Sequence, residues 1–271
     1  MNIIVVTDME GVAGIVDFPN WVTPGGMYYD KGKRLLTEEV NAAVRGFKDG
    51  GADNIYILDG HGPGGIDIEL LDERAYYIRG SVVSSLKFMT EDWKINVFAH
   101  VGQHAKSRTE YSQLTHTQGT SYLDETINGI SIGEFGEFAL YCSFLGIPPI
   151  FGSGEEAFCK EALELAPNMI TVSVKKGLTE GTGDECTAKE YAARNTSAVH
   201  IHPVKARKLI YEGAKKAVLS YLENPDGFSV PFSQLKPPYV KVTKYRKDQN
   251  REDTVRIANN VEEVYSKRLV Y

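Results

Sequence analysis

Two carboxylates and two imidazoles in the first half of the chain have the chemistry of metal ligands. Asp8 and Glu10 stand two residues apart, so both side chains point to the same side of an extended segment. Two carboxylates this close repel each other unless a cation lies between them. His61 and His104 add imidazole nitrogens, and this mixed donor set suits zinc, although manganese and cobalt accept similar ligands.

The position of these four residues relative to predicted strands favours a shared site. Each follows a short apolar run that is typical of a buried parallel strand, and Asp59 ends the second of these runs. In parallel α/β sheets, ligands bind beyond the carboxyl ends of the strands. We therefore expect the side chains to converge at one sheet edge. The three runs are residues 3–6, 54–58 and 95–101.

Each candidate ligand also has an interpretation that involves no metal. Asp8 suits a turn, because aspartate is a common turn residue. Glu10 would be a solvated loop charge, and His61 and His104 would be hydrogen-bonding loop residues. His200 and His202 form a further pair on one face of an extended segment, for which a surface turn before a helix is favoured over metal binding. The combination at three strand ends favours the metal site.

Helical patterns alternate with the strands and predict an α/β fold. The alternation is typical of parallel βαβ units. Asn128-Gly129 predicts a hairpin turn within residues 122–132. We expect a single domain over residues 1–271, with a long polar loop or excursion at 176–199. The predicted helices are residues 33–48, 133–145, 155–165 and 203–222, and the further strands are residues 148–151, 169–174 and 240–245.

Composition and charge exclude several classes of protein. The net charge of −6 argues against general nucleic-acid binding, which requires a basic surface. No apolar run approaches the roughly 18 residues that span a membrane, and no signal peptide is recognisable. We therefore expect a cytoplasmic protein without nucleic-acid or membrane partners. Three widely spaced cysteines indicate neither a zinc ribbon nor a disulfide framework. They are Cys142, Cys159 and Cys186.

Several short motifs, in order along residues 1 to 220, resemble the zinc D-aminopeptidases of the dipeptide-permease operon type. Motifs that occur together in one order are far more specific than any one of them. The motifs are Thr7-Asp8-Met9-Glu10-Gly11, residues 33–41, Asp59-Gly60-His61, Gly102-Gln103-His104-Ala105, Thr115-His116-Thr117, Asn128-Gly129, Gly133-Glu134-Phe135-Gly136, residues 152–167 and residues 172–175.

The resemblance implies a fold, a site and an activity. The expected fold is a three-layer α/β/α sandwich with a mixed, mostly parallel central sheet. Glu134, which by itself suits the first turn of a helix, would join the four ligands above, and Asp8 would bridge two zinc ions. His116 would be the catalytic side chain outside the metal shell. Family members form homodecamers and release N-terminal D-amino acids from short peptides.

Two other functions remain open from the sequence. The ligand set also fits a metal-dependent amidase or phosphoesterase that acts on a non-peptide substrate. A non-catalytic peptide-binding protein linked to peptide uptake is the second alternative, although it gives no reason for five clustered ligands and an additional histidine. The favoured hypothesis is an aminopeptidase that uses a zinc-activated water.

Overall fold

Strands and helices alternate along most of the chain in the computed structural model, which describes residues 1–80 and 88–265. None of the described helices is long and apolar enough to cross a membrane. The strands are β1 (Asn2–Thr7), β2 (Asn54–Asp59), β3 (Ala75–Ile78), β4 (Ile95–Gln103), β5 (Tyr122–Ile127), β6 (Ile130–Ser131), β7 (Pro149–Glu155), β8 (Ile170–Gly177), β9 (Ala198–His200), β10 (Tyr239–Tyr245) and β11 (Thr254–Ala258). The α-helices are α1 (Tyr29–Gly50), α2 (Glu134–Ser143), α3 (Glu156–Leu165), α4 (Ala188–Arg194), α5 (Pro203–Glu223) and α6 (Val261–Tyr265).

The central sheet has seven strands in the order β3-β2-β1-β4-β7-β8-β9. Every neighbouring pair is parallel except β8 and β9, which are antiparallel. The strand order reverses between β1 and β4, so a crevice opens beyond their carboxyl ends, where ligands bind in sheets of this kind. The predicted mixed, mostly parallel sheet is confirmed.

Helices cover both faces of this sheet. In β1, Ile3 and Val5 belong to a buried cluster with α1 and α5, whereas Ile4 and Val6 belong to a second cluster with α2 and α3. This division follows from the alternation of side chains along a strand. Strands buried on both faces are continuously apolar, which explains the apolar runs in the sequence. The expected three-layer α/β/α sandwich is confirmed.

A second sheet of four antiparallel strands, in the order β11-β10-β5-β6, was not predicted. Its hairpin between β5 and β6 turns at Asn128 and Gly129, which have φ angles of 48° and 81°. The predicted turn is therefore confirmed. Of the other two pairings, one joins β10 to β11, and the other joins β5 to β10, which lies more than a hundred residues later in the chain. Local periodicity carries no signal for such a distant partner.

The polar segment at 176–199 contains regular structure where a long loop was expected. It includes α4, whose first turn is closed by a capping box between Thr187 and Glu190. It also includes β9, which pairs with β8 and extends the central sheet by one strand. The expectation was a long polar loop or an excursion, and these two elements were not predicted because they are short and mostly polar.

The loops after β1 and β4 approach each other closely enough to require glycine. Gly102 has a φ of +78°, and a Cβ at this position would lie 2.0 Å from the carbonyl oxygen of Asp8. The amide of Asp8 donates to Val101 O at 3.0 Å, and that of Gly11 donates to Gly102 O at 2.7 Å. This packing fixes the loop that carries Asp8 and Glu10 against the loop that leads to His104.

Candidate metal centre

The ends of three neighbouring strands bring four of the predicted ligands together. Asp8 and Glu10 follow β1, His61 follows β2, and His104 follows β4. Glu134 comes from the first turn of α2, which packs on the adjacent face of the sheet. All five side chains therefore reach the crevice where the strand order reverses.

Asp8 occupies the middle of this cluster. Its Oδ1 lies 3.1 Å from Nδ1 of His61, and its Oδ2 lies 3.1 Å from Nε2 of His104. The amide of Met9 donates to Oδ1 at 2.9 Å and orients the carboxylate. Each carboxylate oxygen thus faces a different imidazole.

Two further carboxylates flank Asp8 on opposite sides. Glu10 Oε2 lies 3.2 Å from His61 Nδ1, and Glu134 Oε2 lies 3.6 Å from His104 Nε2. The other oxygen of Glu134 accepts the amide N–H of Gln118 at 2.8 Å. The arrangement forms two half-sites that share Asp8, one with Glu10 and His61 and the other with Glu134 and His104.

Backbone carbonyls determine which nitrogen each imidazole presents to the cluster. His61 donates from Nε2 to Val22 O at 2.8 Å, which leaves Nδ1 toward the carboxylates. His104 donates from Nδ1 to Ala105 O at 2.8 Å, which leaves Nε2 toward them. A metal-binding histidine characteristically donates its second N–H to such an acceptor, because that contact fixes the tautomer.

His116 lies beside the cluster. Its Nδ1 donates to Leu114 O at 2.9 Å, and its Nε2 lies 3.7 Å from Glu134 Oε1. The ring stacks on His104, and the edge of Phe18 approaches it with centroids 5.5 Å apart. The residue is partly buried, so its Nε2 is positioned at the wall of the cavity.

The cluster opens into a cavity of about 270 Å³. Asp8, Glu10, His61 and His104 are each at most 6% exposed, so little water screens their charges. The lining of the cavity consists of Asp8, Glu10, Gly60, His61, Gly62, Pro63, His116, Gln118 and Glu134.

The ionisation of the cluster reflects competition between burial and charge pairing. Burial opposes charge on Asp8, but the adjacent imidazoles of His104 and His61 outweigh it and lower the pKa of Asp8. Burial likewise opposes charge on Glu134, yet His104 lowers its pKa to about 2. The pKa values of both histidines are raised well above the usual value, because adjacent carboxylates outweigh burial. These directions show that the cluster favours positive charge beside its carboxylates.

The donor atoms fit a divalent metal. Glu10 Oε2 and His104 Nε2 are buried and, among the described residues, lack a partner with hydrogen-bonding geometry. Such groups are costly unless a ligand satisfies them. In each of two sets of three residues, the donor atoms lie within 4.8 Å of one another, a spacing that one ion can bridge. These sets are Asp8 with Glu10 and His104, and His104 with His116 and Glu134.

Asp59 supports the His61 loop and does not join the cluster. Its carboxylate accepts the amides of Gly65 and Ile66 and the hydroxyl of Tyr77. Arg79 donates to the carbonyl oxygens of Asp59 and His61, at 2.8 and 2.9 Å. These contacts hold the glycine-rich turn after β2 in one conformation and thereby keep His61 in position.

A buried lysine beneath the Glu10 loop was not predicted. Lys175, at 2% exposure, donates from Nζ to the carbonyls of Glu10 and Ile15. Burial lowers its pKa to about 8, although Glu155 opposes the shift. Glu155 and Glu39 are also buried, and burial raises their pKa values to about 7 and 8. The sequence signal for Lys175 was a charged residue directly after the predicted apolar strand at residues 169–174, the same kind of signal that identified Asp8.

The remaining histidines have structural roles. His200 accepts the amide of Gly14 at 3.1 Å, and His202 accepts the amide of Val204 at the start of α5. The favoured interpretation of the pair as a turn before a helix fits His202, the N-cap of α5, whereas His200 is the last residue of β9. His100 is buried among aromatic rings beside Gln103, as expected for a core histidine, and burial lowers its pKa to about 4.

Comparison with known proteins identifies relatives of this chain. The family described as D-aminopeptidase, peptidase family M55, matches residues 1–271. A D-aminopeptidase of Bacillus subtilis (strain 168) is 26% identical over 197 residues, which are 72% of this chain and 70% of that protein. The structure is similar to that of the Zn-dependent D-aminopeptidase DppA from Bacillus subtilis, described as a self-compartmentalizing protease. The TM-score is 0.79 at 21% identity, covering 98% of this chain and 94% of that one.

These matches bear on the predictions in two ways. The structural similarity, at this identity, supports the fold. The family match supports the resemblance that the motifs indicated and the predicted enzyme class, an aminopeptidase of the metallopeptidase type. Since that match spans every residue of the chain, this protein belongs to the D-aminopeptidase family.

Proposed function

We propose that this chain is a zinc-dependent aminopeptidase that releases N-terminal D-amino acids from short peptides. Membership in the D-aminopeptidase family supports the reaction, and the related Bacillus subtilis enzyme is described as Zn-dependent. The observation that carries the proposal is the position of Asp8, whose two oxygens face His61 and His104 separately.

The proposed site holds two zinc ions, with Asp8 as the shared ligand. Glu10 and His61 complete one half-site, and His104 and Glu134 complete the other. The contacts of Asp8 with both imidazoles, and of Glu10 and Glu134 with one imidazole each, support this assignment. The three carboxylates carry a formal charge of −3, which two dications would neutralise together with one zinc-generated hydroxide.

Bound zinc would polarise the scissile carbonyl and make a water molecule acidic enough to act as a nucleophile near neutral pH. His116 would act beside the metal shell. Its Nδ1 proton is held by the Leu114 carbonyl, so Nε2 is the nitrogen available to the substrate. From this position, it would stabilise the tetrahedral oxyanion or move a proton to the leaving amine.

Assembly into a homodecamer and a cytoplasmic location are part of the proposal. The description of the related structure as a self-compartmentalizing protease supports an oligomer. Sedimentation velocity on the purified protein measures the assembly, and a mass of ten chains is the expected result. A monomer at micromolar concentration would refute this part of the proposal and leave the chemistry untouched.

The function is tested by metal content and substrate preference measured on one preparation. The expected result is two equivalents of zinc per chain, together with faster hydrolysis of D-Ala-D-Ala than of L-Ala-L-Ala. p-Nitrophenyl phosphate serves as the comparison for a phosphoesterase. Cleavage of the phosphate ester but of neither dipeptide would favour the non-peptide alternative. Binding of dipeptide without cleavage would favour a peptide-binding protein.

A further inference from the structure

A second cavity, of about 330 Å³, lies next to the metal centre. It is bounded by β5, β10, β11, α2 and α6 and is called the β10–β11 cavity below. Gln118 lines both this cavity and the metal cavity. The two spaces are therefore separated by the thickness of one residue.

Contacts of Gln118 connect the two cavities. Its amide N–H donates to Glu134 Oε1 at 2.8 Å on the metal side, and its Nε2 donates to Glu137 Oε2 at 2.6 Å on the other. Glu134 and Glu137 are three residues apart on α2 and therefore lie on the same helix face. Lys241 Nζ lies 3.1 Å from Glu137 Oε1, inside the β10–β11 cavity. Glu134 is therefore connected to Lys241 through Gln118 and Glu137.

The charged lining of the β10–β11 cavity is predominantly cationic. Lys241, Arg251 and Arg256 line it, against Glu125 and Glu137. The formal balance is positive even with both carboxylates ionised. Burial and the neighbouring Glu137 raise the pKa of Glu125, against the opposing charge of Lys241. This local excess of positive charge occurs in a chain whose net charge is −6.

Two of these cations lie directly opposite each other across neighbouring strands. Lys241 on β10 pairs with Arg256 on β11, and opposed residues in an antiparallel pair share one face. Like charges in that position destabilise a sheet unless an anion intervenes. Glu125 and Glu137 contact Lys241, at 2.7 and 3.1 Å. Among the described residues, Arg256 has no carboxylate contact of this kind.

The two arginines keep donors available for a ligand. Arg251 lies over the ring of Tyr245, 3.7 Å from its centroid, and Arg256 donates from Nη1 to Val264 O at 2.9 Å. Neither forms an ion pair with a carboxylate in the part of the chain that the structure describes. A guanidinium has five N–H donors in one plane, and a pair of them along one edge suits a carboxylate.

We propose that the β10–β11 cavity binds the C-terminal carboxylate of peptide substrates longer than a dipeptide, with Arg251 and Arg256 as its ligands. This inference rests on the proposed function, because the N-terminal residue of the same peptide lies at the metal centre. An extended chain covers roughly 3.3–3.6 Å per residue. Because Gln118 lines both cavities, a peptide of a few residues would extend from the metal cavity past Gln118 to the arginines. A dipeptide is too short to engage both ends.

The test compares D-Ala-Gly-Gly-Gly as the free acid and as the C-terminal amide, with D-Ala-D-Ala as a reference. In wild type, we expect the KM for the acid to be about tenfold below that for the amide, the value of one charge-assisted hydrogen bond. Arg251→Gln and Arg256→Gln remove this preference by raising the KM for the acid, with kcat little changed. Arg34→Gln, on the exposed side of α1, is the matched control and retains the preference.

Three outcomes overturn the assignment. One is equal KM values for acid and amide in wild type, and another is an acid preference that survives in both arginine variants. The third is inhibition of D-Ala-D-Ala hydrolysis by inorganic phosphate that disappears in the variants while the peptide preference stays, which assigns the cavity to a free anion. In each case, cleavage of D-Ala-D-Ala continues, so the proposed aminopeptidase stands. Failure of wild type to cleave any of the peptides refutes the aminopeptidase itself.

Discussion

The imidazole rings of His104 and His116 stack face to face, with centroids 4.0 Å apart and planes inclined by 16°. The two stacked histidines nevertheless have different surroundings. His104 is 3% exposed and turns Nε2 toward Asp8, whereas His116 is less buried and borders the cavity. Stacking also restricts rotation of the His116 ring, so the ring is already oriented before a substrate binds.

Replacing His116 by Ala should suppress turnover and leave the metal bound. We expect kcat to fall by about 10²- to 10⁴-fold, the range for loss of a general acid or base. Zinc content by atomic emission should remain that of wild type. His202→Ala is the control, since His202 caps α5 away from the cavity. Loss of one zinc equivalent in His116→Ala would make His116 a ligand, which its position 3.7 Å from Glu134 allows.

Replacing Asp8 by Asn should disturb both half-sites together. The amide keeps the shape but lacks the charge, and one of its two donor atoms becomes a nitrogen that binds no metal. We expect the affinity for both ions to fall by more than the roughly 10- to 100-fold seen for residues outside the ligand shell. Zinc titration measured by calorimetry provides the check, with the exposed Asp226→Asn as control. Weakening of a single ion would argue against the bridging role.

Arg79 should act on the metal through the His61 loop. Arg79→Ala removes the donors to the carbonyls of Asp59 and His61, so His61 Nδ1 loses its fixed position. We expect zinc affinity to fall by about 10- to 100-fold. Arg74→Ala, which removes an exposed arginine paired with Asp72, is the matched control. Equal zinc affinity in the two variants would exclude this role.

Much of the site could be predicted because its ligands follow buried strands. The apolar runs before Asp8, His61 and His104 identify strands by composition alone, and parallel strands present their carboxyl ends at one edge. Glu134 lies at a helix start, where an acid has a sufficient reason to occur without metal. Only the family resemblance identified it, and the structure brings it within 3.6 Å of His104.

Other features depend on contacts that local patterns do not encode. The second sheet pairs β5 with β10 across a separation that periodicity cannot detect. Gln118 links the two cavities through both its main chain and its side chain, with a φ of 61° that an ordinary loop glutamine does not require. Lys175 resembles a solvent-exposed charge in the sequence, yet it is buried against carbonyl groups. These are tertiary relationships between residues far apart in the chain.

Removing the metal should lower the thermal stability. Without a cation, the repulsion among Asp8, Glu10 and Glu134 is offset chiefly by the neighbouring histidines. A ligand that binds the folded state alone stabilises it by about 2.7 kcal/mol at 100 times its Kd. For a chain of this length, that corresponds to roughly 5–10 °C in Tm. Calorimetric scans before and after chelation should show this decrease, and added zinc should restore Tm. A Tm that is unaffected by chelation would contradict a resident metal.

Stability should fall as the pH rises through the titration range of Glu39. Burial raises the pKa of Glu39 to about 8, against the opposing hydrogen bond from Ala13 and the charge of Lys175. The unfolded chain releases this proton near pH 4.5, whereas the folded chain retains it. The contribution of Glu39 is therefore fully present below pH 4.5 and is lost progressively up to about pH 8.

Glu39→Gln should remove this dependence, because the amide is uncharged and its oxygen still accepts the Ala13 amide. The free energy of unfolding in urea, measured at pH 5, 6.5 and 8, should favour the variant increasingly, by up to about 1.4 kcal/mol per pH unit. Glu155 and Lys175 titrate in both proteins, so their contributions largely cancel in the difference. Glu38→Gln, a partly exposed neighbour paired with Arg207, is the control. A difference between Glu39→Gln and wild type that stays constant from pH 5 to 8 would show that Glu39 is ionised in the folded protein.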